Sequence, residues 1–256
     1  MEVHAHTHKE SPPAGRTGKK WTHYVWEFLM LFLAVFCGFL AENLREHQIE
    51  KKREKEYILS MIEDLKEDTS SFNLVIRANT SSCLRIDTLI RLLKGKERDA
   101  SAKRIYYLAR LIPLNDENLV CQNKTFEQLK GSGGLRLIHN SETLNKIGAY
   151  YQIDKFIESG PTPMQYQNRR DLILSFDQLF DAATMQEIMK TFTDPSVNLP
   201  ESHFTFMSND PGIINSFCTR YHFIYSTKKV ISMETKKFID QATSLIGYLK
   251  EEYHLH

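Results

Sequence analysis

Three histidines alternate near the start of the chain: His4, His6 and His8. In an extended segment alternate side chains point the same way, so these imidazoles could hold a transition metal. Their neighbours are Lys, Pro, Gly and Thr, which bring nothing to bury. Such a metal would sit loosely in a tail rather than in a preformed cage. A second group follows the turn Gly131-Ser132-Gly133-Gly134, namely Arg136, His139, Tyr150 and Tyr151. A cation, an imidazole and two phenols could line a cleft for a small ligand. Aromatic residues at helical spacing more often fill a core, and Tyr106 with Tyr107 carries the same ambiguity.

Other spacings exclude more than they offer. A phosphate loop needs glycines ahead of Lys-Ser/Thr after a strand, and the glycine cluster here follows a helical pattern with no such lysine. It reads as a turn between helices. No HExxH pattern is present, no two Glu-x-x-His motifs mark a di-iron bundle, and Ser132 and Ser216 lack a nucleophile-elbow context. No residue is therefore assigned a catalytic role, and no cofactor is implied. Cys83, Cys121 and Cys218 are scattered, with no CxxC. They read as small buried hydrophobes; in an oxidising compartment two of them could bridge and leave one over. The acidic pairs Glu63 with Asp64 and Glu67 with Asp68 read as a solvated helix face. Asn79-Thr80-Ser81 and Asn123-Lys124-Thr125 fit the glycosylation pattern, which matters only in a eukaryotic secretory setting.

The elements that must carry these residues begin with an apolar stretch. Residues 28–41 read FLMLFLAVFCGFLA, with Trp21, Tyr24 and Trp26 just upstream. A helix apolar all round has no solvated face, and the flanking tryptophans match an interfacial aromatic belt. A spanning helix over residues 21–44 is the expectation. A cleaved signal fails because cleavage after Ala41 would place bulky Phe39 three residues back, where a small residue is required. Ala34 and Gly38 form a small-xxx-small pair in this segment. Lys and Arg flank both sides, with the residues nearest the span leaning towards a tail inside and a domain outside.

Beyond the anchor the pattern is helical throughout. Ile58, Ile62, Leu65, Thr69, Phe72, Ile76, Asn79, Cys83, Ile86, Ile90 and Leu93 step by four and three, which predicts one long helix to residue 93 with a heptad seam. Asp210 followed by Pro211 predicts the start of a second long helix. Its seam is Ile214, Phe217, Tyr221, Ile224, Lys228, Ile231, Thr235, Phe238, Ala242, Leu245 and Leu249. Between them, shorter helices are predicted over 102–111, 123–130, 140–159 and 164–191. The expected fold is all-α: an N-terminal transmembrane helix continuing into a long stalk, antiparallel with the C-terminal helix, with shorter helices packed between. The domain reading is a disordered tail over 1–20, the anchor over 21–44 and a soluble helical domain over 45–256. The net charge is +1, which gives no electrostatic footprint for nucleic acid. The basic run at 51–53 is interleaved with glutamates and reads as a face laced with ion pairs.

The segment EFLMLFLAVFCGFLAENLREHQIEKKREKEYILSMIEDLKEDT at 27–69 resembles the start of an uncharacterised family of bacterial single-span membrane proteins. The segment TFEQLKGSGGLRLIHNSETLNKIGAYY at 125–151 resembles that family's second motif. The resemblance covers under a third of the chain and implies a membrane protein with a helical soluble part. It implies no activity and no functional residue. The expected function is a membrane-anchored helical scaffold, sensor or interaction protein. Its expected partners are the bilayer and a second copy or another protein through the helical seams. The alternative is a small-ligand receptor or enzyme with a site near the glycine turn 131–134.

Overall fold

The computed structural model of the chain describes residues 18–114, 117–194, 197, 199–200 and 203–255, with side chains from residue 21 onward. His4, His6 and His8 lie outside the described residues. The elements are α1 (Gly18–Leu93), α2 (Ala102–Leu114), α3 (Lys124–Ser132), α4 (Ser141–Tyr150), α5 (Gln152–Ser159), α6 (Pro161–Ile173), α7 (Ala182–Thr193) and α8 (Pro211–Glu252). Among the described residues there is no strand, only an isolated antiparallel bridge between Phe180 and Phe206. The fold is all-α, as the periodicity predicts.

The chain divides into two compact units, residues 1–53 and 54–256. In the first, one segment of α1 beginning at Trp21 is long and apolar enough to cross a membrane, and none of its most apolar window is buried. Phe28, Phe32 and Phe36 stack along it at one-turn intervals, with ring centroids 6.3 and 5.9 Å apart.

The second unit is built on α8 and the part of α1 from residue 54. Phe72 meets Phe238, Asn79 meets Lys228, and the Cys83 thiol reaches the Tyr225 carbonyl. Residue numbers rise on one helix as they fall on the other, so the pair is antiparallel. Every predicted seam residue of α8 is buried. The α1 seam is broader than predicted. Ile58, Ile62, Leu65, Phe72, Asn79, Cys83, Ile86 and Leu93 are buried as expected, and Thr69, Ile76 and Ile90 are half-buried. Met61, Asp68, Val75, Ser82 and Leu89, each one residue before a predicted position, enter the core as well. The sequence reading stepped over Asp68 and Ser82 because a carboxylate and a hydroxyl look like surface groups.

Local chemistry explains the ends of the helices. Asp210 Oδ1 accepts from the backbone N–H groups of Gly212 and Ile213 at 2.6 and 3.2 Å, and Pro211 follows it. Asn140 caps α4 in the same manner. Pro113 lies inside α2 rather than closing it. Having no N–H, it leaves the carbonyl four residues back without its helical donor. That carbonyl, on Ala109, accepts instead from the Tyr221 hydroxyl at 2.6 Å.

Two predicted single helices are each split. Residues 140–159 form α4 and α5 with a turn at Tyr151, which lets the neighbouring side chains of Tyr150 and Tyr151 both enter the core. Residues 164–191 break after Ile173 and restart behind Asp181, whose carboxylate caps Thr184. Phe176, Leu179 and Phe180 in the break pack into the core.

Candidate functional site

The acidic pairs on α1 are divided: Glu63 and Glu67 are exposed as expected, whereas Asp64 is half-buried and Asp68 is inside. Asp64 and Asp68 are one turn apart and turn towards residues 121–125, the segment leading into α3. Asp68 is fully buried. Its Oδ1 accepts from the Gln122 backbone N–H at 2.6 Å. Its Oδ2 accepts from the Tyr150 hydroxyl at 2.6 Å and from the Cys121 thiol at 3.2 Å. Asp64 Oδ2 accepts from the Thr125 N–H at 3.0 Å. It thereby caps the first turn of α3 from another helix, where the N-cap residue Asn123 makes no side-chain cap of its own. The Asn123 side chain instead donates to Asp154 Oδ2 at 2.7 Å.

The electrostatics of the group favour neutral forms. Burial pushes the Asp68 carboxyl above its ordinary value, against the pull of its three donors. Burial, and then the neighbouring Asp68 charge, pushes the Cys121 thiol up. Burial, with Cys121 and Asp68 beside it, pushes the Tyr150 phenol up as well. A nucleophilic cysteine needs a cationic neighbour or a helix N-terminus to favour its thiolate. Cys121 has a carboxylate instead, so its thiol serves as a weak donor. The arrangement pins a loop to α1.

Tyr151 completes the wall. Its ring stacks on Phe126 at 4.4 Å with an interplanar angle of 12°, and meets Tyr150 edge-on at 5.2 Å. Its hydroxyl is buried without a hydrogen-bond partner among the described residues.

The residues first suspected near the glycine turn fall into two separate places. Tyr150 and Tyr151 are inside, in the carboxylate cluster. Arg136 and His139 are exposed, and His139 Nδ1 lies 3.8 Å from Glu54 Oε2. Glu54 also accepts from the Tyr253 hydroxyl at 2.6 Å, joining the end of α8 to α1. The turn itself is a helix terminator. Gly133 has φ of 69°, and its N–H returns to the Leu129 and Lys130 carbonyls. A side chain at Gly134 would come within 2.9 Å of Leu129.

All four cysteines are free: Cys37 is exposed, and Cys83, Cys121 and Cys218 are buried. Asn79, the first residue of one glycosylation pattern, is buried against Lys228. Among the described residues no three His, Cys, Asp or Glu side chains gather as a metal site. Asp68 was missed because its only sequence signal is its place: it continues the four-three spacing from Met61 and Leu65 to Phe72.

Comparison with known protein families, with curated proteins and with solved structures finds no match to this chain.

Proposed function

We propose that the chain is a single-pass membrane protein whose helical unit acts as a scaffold or interaction module, without an enzymatic role. The observation that carries this reading is the apolar stretch of α1, none of whose most apolar window is buried. Support comes from the second unit. It is helix-built, and its buried cluster of Asp68, Cys121 and Tyr150 is driven towards neutral forms by burial. Groups in that state brace a structure rather than attack a substrate.

Both long seams are occupied within the chain. A second copy or another protein would therefore dock on outward residues such as Leu74, Leu84, Phe223 and Val230. The proposal includes membership of the bacterial single-span family that residues 27–69 and 125–151 resemble, and a helical unit on the extracytoplasmic side.

Two measurements test it. The full chain in lipid nanodiscs is expected to sediment as an oligomer, or to crosslink to a partner through a photoreactive group at Phe223. A monomer that crosslinks to nothing overturns the scaffold reading. For orientation, Asn118→Cys supplies an exposed thiol. Labelling of intact cells by an impermeant thiol reagent, above that of the parent chain, is the result expected for an external domain. Labelling only after lysis reverses the orientation.

A further inference from the structure

The start of α2, α7 and, among the described residues before α8, Val197, Leu199 and Phe204 line an open cavity of about 520 Å³. Small-ligand sites occupy roughly 300–1,000 Å³, so the cavity has room for an organic ligand rather than a single water. One side of it is apolar. Ile188 and Phe204 are buried wall residues. Tyr107 presents a ring held flat against Phe192, with centroids 4.9 Å apart and planes 11° from parallel.

The other side carries two cations from the first turn of α2, Lys103 and Arg104. The Lys103 ammonium donates to the Leu199 carbonyl at 2.7 Å, which ties it to the cavity wall. Arg104 is exposed. Among the described residues no Asp or Glu lines the cavity. Glu187, next to Ile188 on α7, is paired with His203 at 2.6 Å.

We infer that this cavity binds a small apolar molecule bearing one carboxylate. The apolar body lies on Tyr107, Phe204 and Ile188, and the carboxylate faces the Arg104 guanidinium, whose planar fork matches two oxygens at once. The inference is independent of the scaffold reading and of the carboxylate cluster on α1, since it uses a different core and different helices.

The test uses 2-naphthoate and its neutral counterpart 2-naphthamide, titrated calorimetrically into the full chain in nanodiscs of neutral lipid, with empty nanodiscs as the blank. Naphthoate is expected to bind about tenfold or more tightly than naphthamide, the scale of one charge-assisted pair. Arg104→Gln is expected to erase that preference. Thr191→Trp, from a half-buried position on the cavity wall, fills the cavity and is expected to abolish binding. Thr191→Val, which keeps the side-chain size, is expected to retain it. No heat above the blank overturns the inference. So does equal binding of the two probes, or full affinity in Thr191→Trp. Oligomerisation is read separately by sedimentation, so failure here leaves the scaffold reading standing, and the reverse also holds.

Discussion

The two cores of the helical unit perform the same task by different means. At one end, around Ile58, Phe72 and Leu249, residues 121–123 and the first turn of α3 are held by carboxylates from α1. At the other, around Ile86, Ile105 and Phe217, residues 204–206 are held by an aromatic box around Tyr106. The rings of Phe180, Phe204 and Phe206 lie 4.7, 5.4 and 5.8 Å from the Tyr106 ring. The Tyr106 hydroxyl donates to the Thr205 carbonyl and accepts from the Asp181 N–H at 2.9 Å. A buried carboxylate can accept several donors at once but is costly to desolvate. An aromatic hydroxyl accepts fewer and brings its own apolar area. The first end is specified by polar matching and the second by packing.

The largest effect that would sharpen this contrast is Tyr106→Ala. It is expected to cost about 3–5 kcal/mol, because a large ring vanishes from a closed box. Chemical denaturation of the chain in nanodiscs, followed by near-ultraviolet circular dichroism, measures it. A cost below that of removing Asp68 would break the comparison.

Asp68→Asn comes next, at about 2–3 kcal/mol. An amide offers one acceptor where two oxygens served, so at least one buried donor is left unmet. Its pH dependence carries a sign. Burial raises the carboxyl above 3.8, its ordinary value, so the folded state holds the proton more tightly than the unfolded chain. The contribution of Asp68 to stability therefore grows as pH falls from the raised value towards 3.8, and fades as pH rises through it. The stability gap between the parent chain and Asp68→Asn is expected to widen on acidification through that window. A gap that narrows would mean that the donors, not burial, govern the group.

The polar layer between the long helices provides a smaller test. The Lys228 ammonium donates to Asn79 Oδ1 at 3.3 Å, and both residues are buried. Lys228→Met is expected to cost about 1–2 kcal/mol by leaving the Asn79 carbonyl unmet. Adding Asn79→Leu is expected to recover part of that loss in a double-mutant cycle. The smallest effect separates adjacent tyrosines. Tyr150→Phe removes a bond to Asp68 and is expected to cost about 1 kcal/mol, whereas the Tyr151 hydroxyl has no partner to lose among the described residues. Equal costs for Tyr150→Phe and Tyr151→Phe would mean that the Tyr150–Asp68 bond contributes nothing net.

Much of this molecule is legible in its sequence, and the reasons are physical. The apolar stretch at 28–41, the two four-three seams, and the cap Asp210-Pro211 are local patterns, set by helical period and backbone chemistry. They determined the helical class, the two long helices and their antiparallel return. The splits at Tyr151 and before Asp181 were not legible. In each, the chain leaves a helix so that bulky residues reach a core assembled from distant segments. The inward turn of Asp64 and Asp68 was also decided by tertiary structure. A carboxylate at a seam position reads as solvent-facing until donors from Gln122, Thr125 and Tyr150 arrive from elsewhere in the chain. The cavity beside Arg104 has the same origin, since no local spacing brings α2, α7 and Phe204 together. The sequence determined which segments are helices and which of their faces are apolar; only the packing decided where its polar residues find their partners.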